Sequence, residues 1–204
     1  MTVTAIEEIS KTRSRVFLDE TFAFVLYKGE LHKYQIVEGE EMPEETWQEL
    51  QNVVLPKRAK LRAMNLLQKK QYTEKQLFDK LILGGYTEEL AQVALDYVKA
   101  YRYIDDERYA EEYIRVHAER YSRKEIERKL IQKGISKEKI VQAIEQCTEQ
   151  NDLPDEKILI QKHLEKKQLI GKQPDEKEKQ RLYGFLYRKG FSQEAIRWAL
   201  RQTE

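Results

Sequence analysis

Three glycines, Gly85, Gly134 and Gly190, sit inside the same local pattern, and that recurrence constrains the fold more than any other feature of the 204 residues. They lie 49 and 56 residues apart. Ahead of each, apolar residues one helical turn apart correspond: Leu77 and Leu81, Ile126 and Leu130, Leu182 and Leu186. Behind each come an apolar residue and a hydroxyl: Tyr86-Thr87, Ile135-Ser136, Phe191-Ser192. The match then continues through Ala91, Ala94 and Leu95, through Ile140, Ala143 and Ile144, and through Ile196, Ala199 and Leu200. Agreement at so many positions identifies a tandem repeat.

Each part of the pattern has a physical task. A glycine just past a helix end takes positive φ without a Cβ clash and closes a Schellman cap. The hydroxyl supplies the N-cap oxygen of the next helix. The apolar residue between them can staple onto the fourth position of that helix: Ile135 onto Ile140, Phe191 onto Ile196, Tyr86 more weakly onto Ala91. Thr73-x-x-Gln76 and Ser122-x-x-Glu125 read as capping boxes at the start of the preceding helix. The middle repeat opens at an Asp105-Asp106 turn suited to helix capping and dipole placement. Each unit is therefore expected to hold three helices of about 12 residues. Their first helices are expected to bury Leu61, Met64 and Leu67; then Ala110, Tyr113 and Val116; then Ile158, Ile160 and Leu164. A longer corner around Gly171-Lys172-Gln173-Pro174 accounts for the wider second spacing. Units this small gain core by stacking on neighbours, which points to an elongated, curved array.

Residues 1–55 read differently. Val3 to Ile9, Arg15 to Leu18 and Phe22 to Leu26 have strand character, with a polar break at Asp19-Glu20-Thr21 that suits a hairpin. Leu31, Tyr34 and Ile36, then a helix over 44–54 with Trp47 and Leu50 on one side, can cover one face. The expected class is mainly α: a small acidic α+β module (1–55) and three-helix repeats at 56–104, 105–150 and 151–204.

Several functions are disfavoured. A single cysteine, Cys147, lies among apolar helical positions and reads as core. His32, His117 and His163 have no ligand spacing, so no zinc site is expected. No Gly-rich phosphate loop or nucleophile–base pair is recognisable, so the chain does not read as an enzyme. No apolar run reaches the ~20 residues of a membrane span, and the N-terminal residues lack signal-peptide character, so a cytoplasmic location is expected, without a membrane partner. Net charge is +1, yet 1–55 carry 5 basic and 11 acidic side chains whereas 56–104 carry 10 and 5. Local basic stretches of the repeats are thus the places to meet an anionic partner.

Tyr103-Ile104-Asp105-Asp106-x-x-Tyr109-Ala110, followed by Lys133-Gly134-Ile135, resembles the RecX family of recombinase regulators. The upstream run of Arg62 to Leu67, Tyr72, Leu77, Lys80-Leu81 and Gly85-Tyr86 is similar too, and the likeness spans Lys57 to Glu204. The front end resembles the extension of longer members. The resemblance implies a non-enzymatic protein without cofactor that binds RecA filaments on single-stranded DNA. It would lie in the filament groove and modulate, mainly inhibit, ATPase, strand exchange and the co-protease role in the SOS response.

Two basic stretches are the candidate contacts with such a filament: Lys57, Arg58, Lys60 and Arg62, and then Arg115, Arg120, Arg123 and Lys124. Taken singly, each also suits a solvated helix face paired with nearby glutamates. Tyr103, Tyr109 and Tyr113 have the spacing of a core wall between adjacent repeats, with base stacking as the other reading. Single-stranded DNA is expected to be met indirectly or weakly, by a monomer. A DNA-binding protein acting by occlusion and a helical adaptor for another protein remain as alternatives.

Overall fold

The computed structural model describes residues 1–166 and 175–201. The Gly171 to Pro174 corner expected from the spacing lies outside the described residues. The chain divides into two compact units, Met1–Asp105 and Asp106–Glu204.

The first unit begins with an antiparallel sheet, β1 (Val3–Ser10), β2 (Arg13–Leu18) and β3 (Thr21–Tyr27), in the order β1-β2-β3. Asp19 and Glu20 both take positive φ (46° and 66°) in the β2–β3 turn, the requirement of a tight hairpin that follows the strand twist. Val16, Leu18, Phe24 and Leu26 point into the core. After α1 (Lys28–Lys33), Ile36, Met42, Trp47 and Leu50 cover that face.

α2 (Glu44–Glu49) runs through one π turn, Leu50–Val54, straight into α3 (Leu55–Leu67). The reason lies in Pro56, which has no N–H and clashes with a carbonyl one turn back in a regular helix. A local widening of the helix relieves that conflict. The division expected at residue 55 falls inside this continuous helix. The sheet, α3, α4 (Glu74–Leu83) and α5 (Glu88–Ala100) share one core.

The second unit holds α6 (Asp106–His117), α7 (Arg123–Gln132) and α8 (Lys137–Glu149), then α9 (Glu156–Lys166), α10 (Glu176–Arg188) and α11 (Gln193–Arg201). In every repeat the first helix packs on the third, and the middle helix turns sharply into the third.

Those turns are built as the glycine pattern requires. Gly85, Gly134 and Gly190 have φ of 90°, 89° and 89°. The residue after each glycine donates its N–H to a carbonyl five residues back, Tyr86 to Leu81, Ile135 to Leu130 and Phe191 to Leu186, at 3.2–3.3 Å. Each glycine donates three residues back at 2.9 Å. Both Schellman bonds are thus present three times. Thr87, Ser136 and Ser192 then accept from the N–H of Leu90, Lys139 and Ala195. The stapling residues Ile135 and Phe191 are buried in the same clusters as Ile140 and Ile196.

The faces of the first helices depart from the sequence reading. α3 buries Ala59, Ala63 and Leu66, while Leu61 is half exposed. α6 buries Ala110 and Ile114, with Ala118 just past its end also buried, and Val116 faces outward. α9 buries Leu159, Ile160 and Leu164, and Ile158 is exposed. In α3 the cause is close helix approach. Ala59 and Ala63 share a core with Ala91 and Ala94 of α5, and such small residues bring two helices together. The larger apolar residues are displaced to the flanks.

Replacing Gly134 with valine puts a β-branched side chain at φ 89° and is expected to cost about 1–3 kcal/mol. A urea titration measures it. An unchanged midpoint would contradict the left-handed corner.

Candidate functional site

The candidate cations separate into two kinds once their surroundings are known. On α3, Arg58 lies on the flank toward the sheet. Its guanidinium donates to the Val25 carbonyl at 3.0 Å, pairs with Glu30 and stands 5.1 Å over the Tyr27 ring. Its side chain is only 18% exposed, so its charge holds β3, α1 and α3 together. Lys57, Lys60 and Arg62 have no carboxylate within 4 Å among the described residues. The Lys60 ammonium lies 5.2 Å over the Tyr97 ring, a cation–π contact that leaves its charge available to an anion.

The same division recurs in the second unit. Arg115 is clamped by Asp152 at 2.7 Å, Glu111 at 3.0 Å and the Gln150 side-chain oxygen at 3.0 Å. The hydrogen bonds it donates to Asp152 and then Glu111 hold its guanidinium pKa above the usual value. Arg115 thereby ties α6 to the end of α8. Arg120, Arg123 and Lys124 are exposed and carry no carboxylate partner among the described residues. Arg58 and Arg115 are thus spent on the fold, and six candidates remain without a carboxylate partner among the described residues.

A file of rings runs along α6 and into the turn after it. Tyr109, Tyr113, His117 and Tyr121 are spaced 6.4, 4.2 and 5.5 Å between centroids. Lys133 stands 5.7 and 5.3 Å over Tyr109 and Tyr113, and Lys129 stands 4.7 Å over Tyr121. Tyr109 and Tyr113 are half-buried against the second repeat's own core. Tyr103 is 54% exposed and is not part of a core wall.

A joint between the second and third repeats lies at the start of α7, and the sequence reading missed it. Ser122 caps α7 by accepting from the Glu125 N–H at 3.2 Å, and its hydroxyl donates to the Lys189 carbonyl at 2.6 Å. Glu125 was expected to complete a capping box. Its carboxylate is instead buried, with the Lys189 ammonium 3.7 Å away. A Cβ on Gly190 would stand 2.8 Å from the Ser122 hydroxyl oxygen and 2.9 Å from the Lys124 Cβ. Lys162 pairs with Glu119 at 3.2 Å across the same joint. The one local signal was Ser122 itself, whose hydroxyl has a spare donor after capping.

Cys147 is fully buried, and burial pushes its thiol pKa up, consistent with a core role. Among the described residues no group of three or more His, Cys, Asp or Glu is placed to hold a metal, and no helix is long and apolar enough to cross a membrane. Burial, followed by the charges of Arg120, Lys129 and Lys133, holds the His117 imidazole below its ordinary pKa. Burial and then Lys189 do the same to His163.

Three family models match successive stretches of the chain. They describe the first, second and third three-helix domains of RecX, over residues 59–98, 105–144 and 156–200. A relative from Caldanaerobacter subterraneus subsp. tengcongensis, "Regulatory protein RecX", is 34% identical over 201 residues, 97% of each chain. Another of that description, from Clostridium botulinum (strain Eklund 17B / Type B), is 29% identical over 200 residues, 97% of this chain and 93% of its own. A crystal structure of regulatory protein RecX matches with a TM-score of 0.63 at 24% identity, over 97% of this chain and 98% of that one. RecX from Lactobacillus salivarius matches with a TM-score of 0.59 at 21% identity, over 74% and 97%. At these identities the structural likeness speaks for the fold.

A histidine whose folded pKa lies below its unfolded value stabilises the fold above that unfolded value, and the contribution is lost as pH falls through the folded one. Acidification from about pH 7.5 to 5.5, across the ordinary histidine pKa of about 6.5, is therefore expected to lower the melting temperature. His117→Phe, which keeps a ring in the file but cannot gain charge, is expected to flatten part of that decline. Identical pH curves for the two proteins would contradict the assignment.

Proposed function

The chain belongs to the RecX family of regulatory proteins, and from that premise we propose that it regulates the RecA recombinase. On this reading it inhibits RecA by lying in the groove of filaments assembled on single-stranded DNA. ATP hydrolysis, strand exchange and co-protease activity in the SOS response are the properties it modulates.

The observation that carries the reading is the division among the cations. Lys57, Lys60 and Arg62 on the first unit, and Arg120, Arg123 and Lys124 on the second, are left without carboxylate partners among the described residues. Each set is too small for tight binding to bare DNA at physiological salt, because affinity there rises with the number of phosphates neutralised. Two weak contacts on one chain add through effective concentration when a partner offers both at once. A protein-coated polyanion with a regular repeat meets that condition. The net charge of +1 and the acidic front end disfavour long-lived attachment to DNA alone.

The test compares binding to RecA-coated and bare single-stranded DNA across a salt titration. Stronger binding to the coated form is expected. Replacing Lys57, Arg62, Arg120, Arg123 and Lys124 with glutamate is expected to weaken filament association by about tenfold or more, with helicity unchanged. Arg58 and Arg115 are left intact because they hold the fold. Bare DNA binding as well as filaments, with a steep salt dependence, would favour the occlusion reading. Unchanged filament binding by the variant would remove these cations from the contact surface.

A further inference from the structure

The first repeat carries an aromatic row that its own core does not use. Past α5 the chain turns through Tyr101, Arg102 and Tyr103, with Arg102 at φ 55°. The Arg102 N–H donates to the Lys99 carbonyl and the Tyr103 N–H to the Val98 carbonyl, both at 2.9 Å. This is the corner geometry of the glycine turns, with an arginine in the left-handed position, where most side chains are strained. Its effect is to line up three rings. Tyr97 and Tyr101 have centroids 4.8 Å apart. Tyr101 and Tyr103 are 5.9 Å apart and within 15° of parallel.

Tyr101 is 59% exposed and Tyr103 54%. Met64 and Leu67 of α3, with Gln68 just past its end, line an open hollow of about 280 Å³ with Tyr103. At the other end of the row the Lys60 ammonium sits 5.2 Å from the Tyr97 centroid. Lys57 lies on the same stripe of α3, one turn before Lys60. The surrounding repeat, residues 56–104, has 10 basic and 5 acidic side chains.

Exposed ring faces next to unpaired cations select for a flat, apolar and anionic partner. A protein patch that complements the rings alone would gain nothing from the positive surroundings. A duplex hides its base faces, whereas an unpaired strand offers faces and phosphates together. We propose that the Tyr101–Tyr103 face, with Lys60 and Lys57 beside it, is a base-stacking step for single-stranded nucleic acid. The rings receive one or two unpaired bases and the lysines the adjoining phosphates. The proposal goes beyond regulation of RecA and stands whether or not the chain meets a filament.

The experiment needs no RecA, so its failure leaves the filament reading untouched. The full chain is titrated at low salt against a labelled oligo(dT) of about 15 nucleotides and against an abasic deoxyribose-phosphate chain of equal length, followed by anisotropy. The wild type is expected to prefer the base-bearing strand by about tenfold. Tyr101→Ala with Tyr103→Ala is expected to abolish the preference and leave abasic binding unchanged. Tyr101→Phe with Tyr103→Phe, which keeps the ring faces, is expected to retain it. Lys60→Ala is expected to reduce the salt slope by about 0.7. Equal binding of the two strands by the wild type would overturn the proposal. So would a preference that survives the double alanine change, or loss of the preference in the phenylalanine protein. If the alanine variant loses association with RecA in the absence of DNA while oligo(dT) binding is unchanged, the face is a protein-docking site and the proposal is wrong.

Discussion

The left-handed glycine after each middle helix is the constraint on which the remaining architecture depends. At φ near 90° the backbone donates two hydrogen bonds into the helix that has ended, and the chain leaves in a fixed direction. The hydroxyl two residues later then meets the first free amides of the next helix, and the intervening apolar side chain falls into the core. The absence of a Cβ serves packing as well as torsion. A Cβ on Gly85 would stand 2.5 Å from the Val25 side chain of β3, and one on Gly190 would press on Ser122 and Lys124. The first repeat seats its corner on the sheet, and the third seats its corner on the start of α7.

What could be read from the sequence follows from the range of the interactions involved. Corners, caps and staples join residues within about six positions of one another, so residue type and spacing reveal them. Thr73 with Gln76 forms its capping box as expected, and Asp175 with Glu178 forms another that the Asp-x-x-Glu spacing could have revealed. The first helices were misread because size was taken as the mark of burial. Ala59 and Ala63 are buried while Leu61 is not, since α3 and α5 approach closely. The front end was legible as three strands and a cover. Its continuity with the first repeat was not: the helix runs on into α3 through a π turn just ahead of Pro56.

The candidate surface was legible in kind and not in detail. Basic stretches announce themselves, but the carboxylates that neutralise some of them are remote in sequence. Glu30 lies 28 residues from Arg58, and Asp152 lies 37 from Arg115. Only the folded arrangement sorts cations that bind the protein to itself from those that face outward. The same holds for Glu125, which looked like a local cap and is committed to the joint with Lys189. Tyr103 inverts the case, with a core-like spacing and an exposed ring.

These features describe a chain whose rigid corners support small surfaces of unpaired charge. Small surfaces suit a regulator, which has to release its partner as well as bind it. The proposed action is tested most directly by the rate of DNA-dependent ATP hydrolysis by RecA with the purified chain added well below one molecule per RecA protomer. A fall in rate much larger than the fraction of protomers that could be occupied singly is predicted, because a chain bound as proposed would touch several neighbours. A rate that is unchanged, or that falls only in proportion to the chain added, would contradict it.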